Sequence, residues 1–143
     1  MIIDEIKTAL TAAGCTLVLY ESEAMTNTQT DQSKPEDILG VVKEPDIITL
    51  KVVGNGITRD YSSTIVEILA QAKPEDLAEN NEATLEALLV VCGAFITQLI
   101  SGKAFQKIKT AQAVKITERK YDANLIGWSL LLDLQPIENK LNC

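Results

Sequence analysis

Ser62, Ser63 and Thr64, standing beside Tyr61 and Asp60, are the hydroxyls on which a covalent catalyst in this chain would draw. A hydroxyl attacks at neutral pH only with a base beside it, most often an imidazole. The 143 residues include no histidine, and no lysine is marked out by position as a substitute, so these hydroxyls read as strand or turn residues. The same absence removes the commonest metal ligand. Cys15, Cys92 and Cys143 are odd in number and far apart, with no C-x-x-C. They suggest neither a zinc site nor a disulfide framework, and read as reduced structural thiols of a cytosolic product. Gly54 and Gly56 begin G-x-G, but Arg59 holds the third position of a dinucleotide fingerprint and no helix clearly follows. There is no phosphate-binding P-loop, no H-E-x-x-H and no acidic loop with calcium spacing. Twenty acidic residues offer many pairs for acid–base work, yet spacing singles out none. The chain reads as a non-enzyme with no catalytic residue, cofactor or metal.

Charge is more informative. The net charge is −7, which argues against a protein that grips nucleic acid over its whole surface. Residues 1–100 carry a balance of −10 and residues 101–143 a balance of +3. Lys103, Lys107, Lys109, Lys115 and Arg119 share odd parity, so a strand would carry them on one side. The bland reading of this ribbon is a solvated sheet face that keeps an edge soluble. The functional reading is complementarity between copies, in which the cationic ribbon of one subunit meets Glu75, Asp76, Glu79, Glu82 and Glu86 of the next. Such a head-to-tail contact closes into a ring when its rotation permits. Only Phe105 and Tyr121 interleave with the basic residues, so a base-stacking platform is poorly supported.

The elements that must carry these residues follow from periodicity. Ile3, Ile6, Leu10 and Ala13 keep helical spacing, Asp4 and Glu5 open the first turn, and Gly14 stands where a left-handed cap is wanted, predicting a helix over 2–13. Thr16-Leu17-Val18-Leu19-Tyr20 reads as a strand buried on both faces. Residues 21–36 are polar apart from Ala24, Met25 and Pro35, and read as a mobile loop that cannot repay its ordering entropy by burial. A strand over 46–53, a turn at Gly54-Asn55-Gly56 and a returning strand over 57–61 make a hairpin. Residues 64–70 fit a helix by spacing and a strand by β-branched density, and the density favours the strand.

Leu85, Leu88, Leu89, Cys92, Phe95, Ile96 and Leu99 predict a core helix over 82–101, ended by Gly102. Ile108, Val114 and Ile116 in one arm, with Trp128, Leu130, Leu132 and Leu134 in the other, predict a closing hairpin greasy on one side, turning at Tyr121-Asp122-Ala123-Asn124. The longest uninterrupted apolar run, residues 87–96, is about half of a bilayer span, so no membrane crossing is expected. The expectation is a small single α+β domain over 1–143: a mostly antiparallel sheet, packed by the N-terminal helix and one long central helix and closed by a C-terminal β-hairpin.

This order of elements, with Tyr61-Ser62-Ser63-Thr64-Ile65-Val66-Glu67-Ile68-Leu69 in the β-rich middle and Asn124-Leu125-Ile126-Gly127-Trp128-Ser129-Leu130 in the closing hairpin, resembles small tail-terminator and neck proteins of tailed bacteriophages and prophages. The likeness spans most of the chain, and the polar loop at 21–36 departs from it. The resemblance implies a virion protein, made in the bacterial host cytoplasm, that assembles on itself, commonly as a hexamer. Its ring would close the head-proximal end of a tail tube or join neck components, with tail-tube or neck proteins as partners and DNA only as passing cargo. The competing expectation is a non-catalytic cytosolic binding module for a small ligand or protein partner, with 21–36 as a lid.

Overall fold

The computed structural model describes residues 2–20, 37–43, 48–54, 56–71, 78–102, 108, 111–116, 125–135 and 140–141. Helix α1 (Ile2–Ala13) is followed by strands β1 (Leu17–Tyr20), β2 (Ile38–Val42), β3 (Thr49–Val53) and β4 (Gly56–Gln71). Helix α2 (Ala78–Ser101) then leads to β5 (Ala111–Ile116), β6 (Leu125–Leu134) and β7 (Lys140–Leu141). The main sheet has the order β1-β2-β4-β6-β5, antiparallel except for the β1–β2 pair. The α+β architecture is as the sequence leads one to expect. The expected mobile segment at 21–36 and the turn at 121–124 lie outside the described residues.

The cap of α1 takes the form that Gly14 promises. Gly14 adopts φ 114°, its N–H donates to the Thr11 carbonyl at 3.2 Å, and the Cys15 N–H reaches the Leu10 carbonyl at 3.1 Å, which is the Schellman pattern. Thr16 then pins the two parallel strands: its N–H donates to the Ile38 carbonyl, and the Ile38 N–H donates to Thr16 Oγ1, each at 2.9 Å.

Strand β4 organises everything else. Its first five residues pair with β3, and Ile57 and Thr58 also pair with β7. Its second half lies between β2 and β6. The register shifts between Tyr61 and Thr64, and the Thr64 hydroxyl donates to the Tyr61 carbonyl at 3.3 Å across that bulge, so this hydroxyl serves the strand. A bulge bends and twists the strand that carries it, which separates the β3–β4 hairpin from the main sheet. The 64–70 segment is strand, as its β-branched density indicates.

Both faces of the sheet are buried. On the helical face Val66, Ile68, Leu130, Leu132 and Leu134 pack with Ile6, Leu10, Leu88, Cys92, Phe95 and Leu99 from the two helices. On the other face Leu19, Leu39, Val41, Leu69 and Leu125 form a second cluster. Each of these large side chains contributes about 1.5–3 kcal/mol on full burial.

The closing hairpin corrects one expectation. Ala111 pairs with Leu132 and Lys115 with Trp128, so odd residues of β5 stand opposite even residues of β6. Val114 and Ile116 therefore lie on the face away from the helices, while Trp128, Leu130, Leu132 and Leu134 lie on the helical face. The two arms are not greasy on a common side, because cross-strand partners share a face and the register sums to an odd number.

Glu82–Ser101 is long and apolar enough to cross a membrane by length and composition, since no charge follows Glu86. In the fold that apolarity divides between a stripe packed into the core and an exposed outer face.

Candidate functional site

Of the residues nominated for a contact between copies, Lys103, Lys107, Lys109, Arg119, Glu75 and Asp76 lie outside the described residues, and Glu79 occupies the first turn of α2. Lys115, Glu82 and Glu86 are exposed. Lys115 Nζ sits 5.9 Å from the centroid of the Trp128 ring, a cation–π distance. Trp128 Nε1 in turn donates to the Leu85 carbonyl at 2.8 Å, one residue before Glu86. Trp128 thus lies between Lys115 of β5 and the Leu85 turn of α2. No ion pair joins Lys115 to Glu82 or Glu86 among the described residues.

Two buried carboxylates escape the sequence reading. Glu67, at the centre of β4 on the face away from the helices, is fully buried between Val41 of β2 and Ser129 of β6 in register. Lys43 Nζ, at the end of β2, lies 4.0 Å from its Oε1. The signal was present as a lone acid inside the apolar run Ile65-Val66-Glu67-Ile68-Leu69, but only the strand order makes its position central. Asp60 is buried on the hairpin, and Lys51 Nζ approaches its Oδ2 at 2.9 Å. The hydrogen bond and charge of Asp60 raise the Lys51 pKa above its ordinary value.

The free thiols are core residues. Burial pushes Cys15 up to about 11 and Cys92 up to about 12, the latter also through its neighbour Cys15. Thiols held protonated in this way are poor nucleophiles.

Among the described residues, part of the exposed surface is apolar. On the β3–β4 hairpin, Thr49, Lys51, Thr58 and Asp60 share one face, and Leu50, Val52, Ile57 and Arg59 share the other. On that second face Val52 is 80% exposed and Leu50 60%, with Ile48 at 49% just before the strand. The outer face of α2 exposes Val90 to 73% and Ile100 to 52%, with Ala83, Ala87 and Gly93 beside them. A third spot joins Val114, 60% exposed, to Leu131 across the β5–β6 ladder. Contiguous exposed apolar surface of this kind marks contact sites in folded proteins.

A depression between the length of α1 and the C-terminal end of α2, bordered by Glu5, Thr8, Gln98 and Gly102, holds about 100 Å³. Small-molecule sites typically hold about 300–1,000 Å³. Among the described residues no cluster of three or more potential metal ligands occurs. No family model matches the chain, and no curated protein or solved structure compared with it matches either.

Proposed function

We propose that the chain is a structural virion protein that assembles on itself into a ring, at the head-proximal end of a phage tail or in the neck. The observation that carries this reading is the surplus of large apolar side chains on the β3–β4 hairpin and on the outer face of α2, beyond a core already closed on both faces of the sheet. Two separate apolar surfaces on one chain suit a subunit that meets a neighbour on each side, and a head-to-tail repeat of such contacts closes into a ring. The net charge of −7 suits a passage through which DNA must slide without sticking. The resemblance in element order supports the same reading.

The test is electron microscopy of particles made without this protein. Tails of uncontrolled length, or heads without tails, are the expected outcome. Particles of normal form overturn the proposal.

A further inference from the structure

We infer that the contact between copies is made by the Leu50–Val52–Arg59 face of the β3–β4 hairpin of one subunit docking on the Glu82–Ile100 outer face of α2 in the next. The inference rests on the assembly reading and says which two surfaces meet.

Charge selects this pairing. The apolar face of the hairpin carries one charged residue, the exposed Arg59, in register with Leu50. The outer face of α2 carries Glu82 and Glu86, both exposed, and α2 contains no basic residue. Each surface is therefore apolar with charge of a single sign, and the signs are opposite. Against a second copy of itself neither surface meets the opposite charge, since the hairpin face carries only Arg59 and the helix face only Glu82 and Glu86. Only the mixed pairing neutralises both, which is the arrangement that gives register and discriminates against wrong partners. An anionic lipid surface meets the same objection from the helix side, where a membrane-binding face ordinarily carries lysine or arginine.

Spacing agrees. Arg59 and Ile57 follow each other on one face of β4, roughly 6.6 Å apart along a strand. Glu86 and Val90 follow each other on one face of α2, roughly 6 Å apart along a helix. With Arg59 on Glu86, the Ile57–Val52 pair comes to Val90 and Gly93. At Gly93 an added Cβ meets nothing within 4 Å, so the helix surface is low there and open to an incoming side chain. Because hairpin and helix belong to different sides of the contact, each pair keeps one free surface of each kind, and the assembly is head-to-tail.

The experiment uses Val52→Asp and Val90→Asp, two exposed positions at which a charge leaves the fold intact, as thermal melting checks. In sedimentation velocity the wild-type chain self-associates, and each variant alone is monomeric, weakened at least tenfold. Mixed together they form a one-to-one dimer and stop, because the intact hairpin of one fits the intact helix of the other. Arg59→Glu alone dissociates the assembly, and Arg59→Glu with Glu86→Arg in the same chain restores it. Wild-type association that both aspartate variants retain, or a mixture that yields no dimer, overturns the contact while leaving the assembly reading to its own test by microscopy. A wild-type chain that stays monomeric at its highest attainable concentration also overturns the contact. So does binding to phosphatidylglycerol vesicles that Val90→Asp abolishes while the mixture stays unpaired.

Discussion

Raising the pH from 7.5 to 10 should destabilise this protein by about 3 kcal/mol through two buried thiols. Cys15 and Cys92 lie in the cluster beneath the two helices, where burial holds them at about 11 and about 12 against an ordinary 9.0. At pH 10 the unfolded chain ionises both, whereas the folded chain keeps both protonated. The unfolded state binds fewer protons, so stability is fully present below pH 9 and falls as the pH rises toward the folded values. One pH unit above an unfolded pKa of 9.0 is worth about 1.4 kcal/mol for each thiol, so the pair removes about 3 kcal/mol by pH 10. That is a large part of the 5–15 kcal/mol typical of a domain. The assay is urea denaturation at pH 7.5, 9 and 10 under reducing conditions, for the wild type and for Cys15→Ala with Cys92→Ala. Every other titratable group is common to both chains, so the difference in slope isolates the two buried thiols. Wild-type and variant stabilities that fall in parallel between pH 8 and 10 refute the reasoning.

Four further outcomes follow from single contacts. Gly127→Ala should abolish folding or cost more than about 3 kcal/mol, because an added Cβ would sit 1.9 Å from the Ile68 carbonyl oxygen in the adjoining strand; circular dichroism and solubility report it. Trp128→Phe should cost about 1 kcal/mol by losing the hydrogen bond to the Leu85 carbonyl, and Trp128→Ala about 3 kcal/mol by losing the packing as well, both read by thermal melting. Lys43→Met should cost about 2 kcal/mol in urea, since it removes a cation near the fully buried Glu67 while Lys43 itself is partly exposed. Replacing Ile48, Leu50 and Val52 together with threonine should change stability by less than about 0.5 kcal/mol while abolishing self-association in sedimentation.

The helices, the β3–β4 hairpin and the β-nature of 64–70 were legible because each announces itself within a short window. Gly14 caps α1 as its position implies, and the buried stripe of α2 repeats at helical spacing. Strand β2 was missed, because Ile38-Leu39-Gly40-Val41-Val42 is too short to show a period and carries a glycine that usually weakens a strand. The structure explains that glycine: a Cβ at position 40 would come within 3.0 Å of Leu10 and 3.3 Å of Cys15, so its small size seats α1 on the sheet. The parity of β5 and β6 is legible within each strand but not between them, because register depends on a loop length that composition does not fix. Glu67 was invisible for the same reason: its burial follows from β4 being the middle strand, a property of topology.

The choice of residue on the apolar surfaces also bears on the proposed assembly. A hairpin that pairs along β4 needs β-propensity at 48, 50 and 52, and threonine would supply it on a solvent-facing side. Isoleucine, leucine and valine stand there instead, at an exposure where they add little to the fold and invite unwanted association. The same holds on α2, where Val90 and Ile100 face outward although the buried stripe of Leu85, Leu88, Cys92, Phe95 and Leu99 already seats the helix. Stability of the isolated chain is indifferent to these choices, and its solubility is harmed by them. The proposed assembly accounts for them, since two apolar faces of opposite charge on one chain are most economically covered by each other.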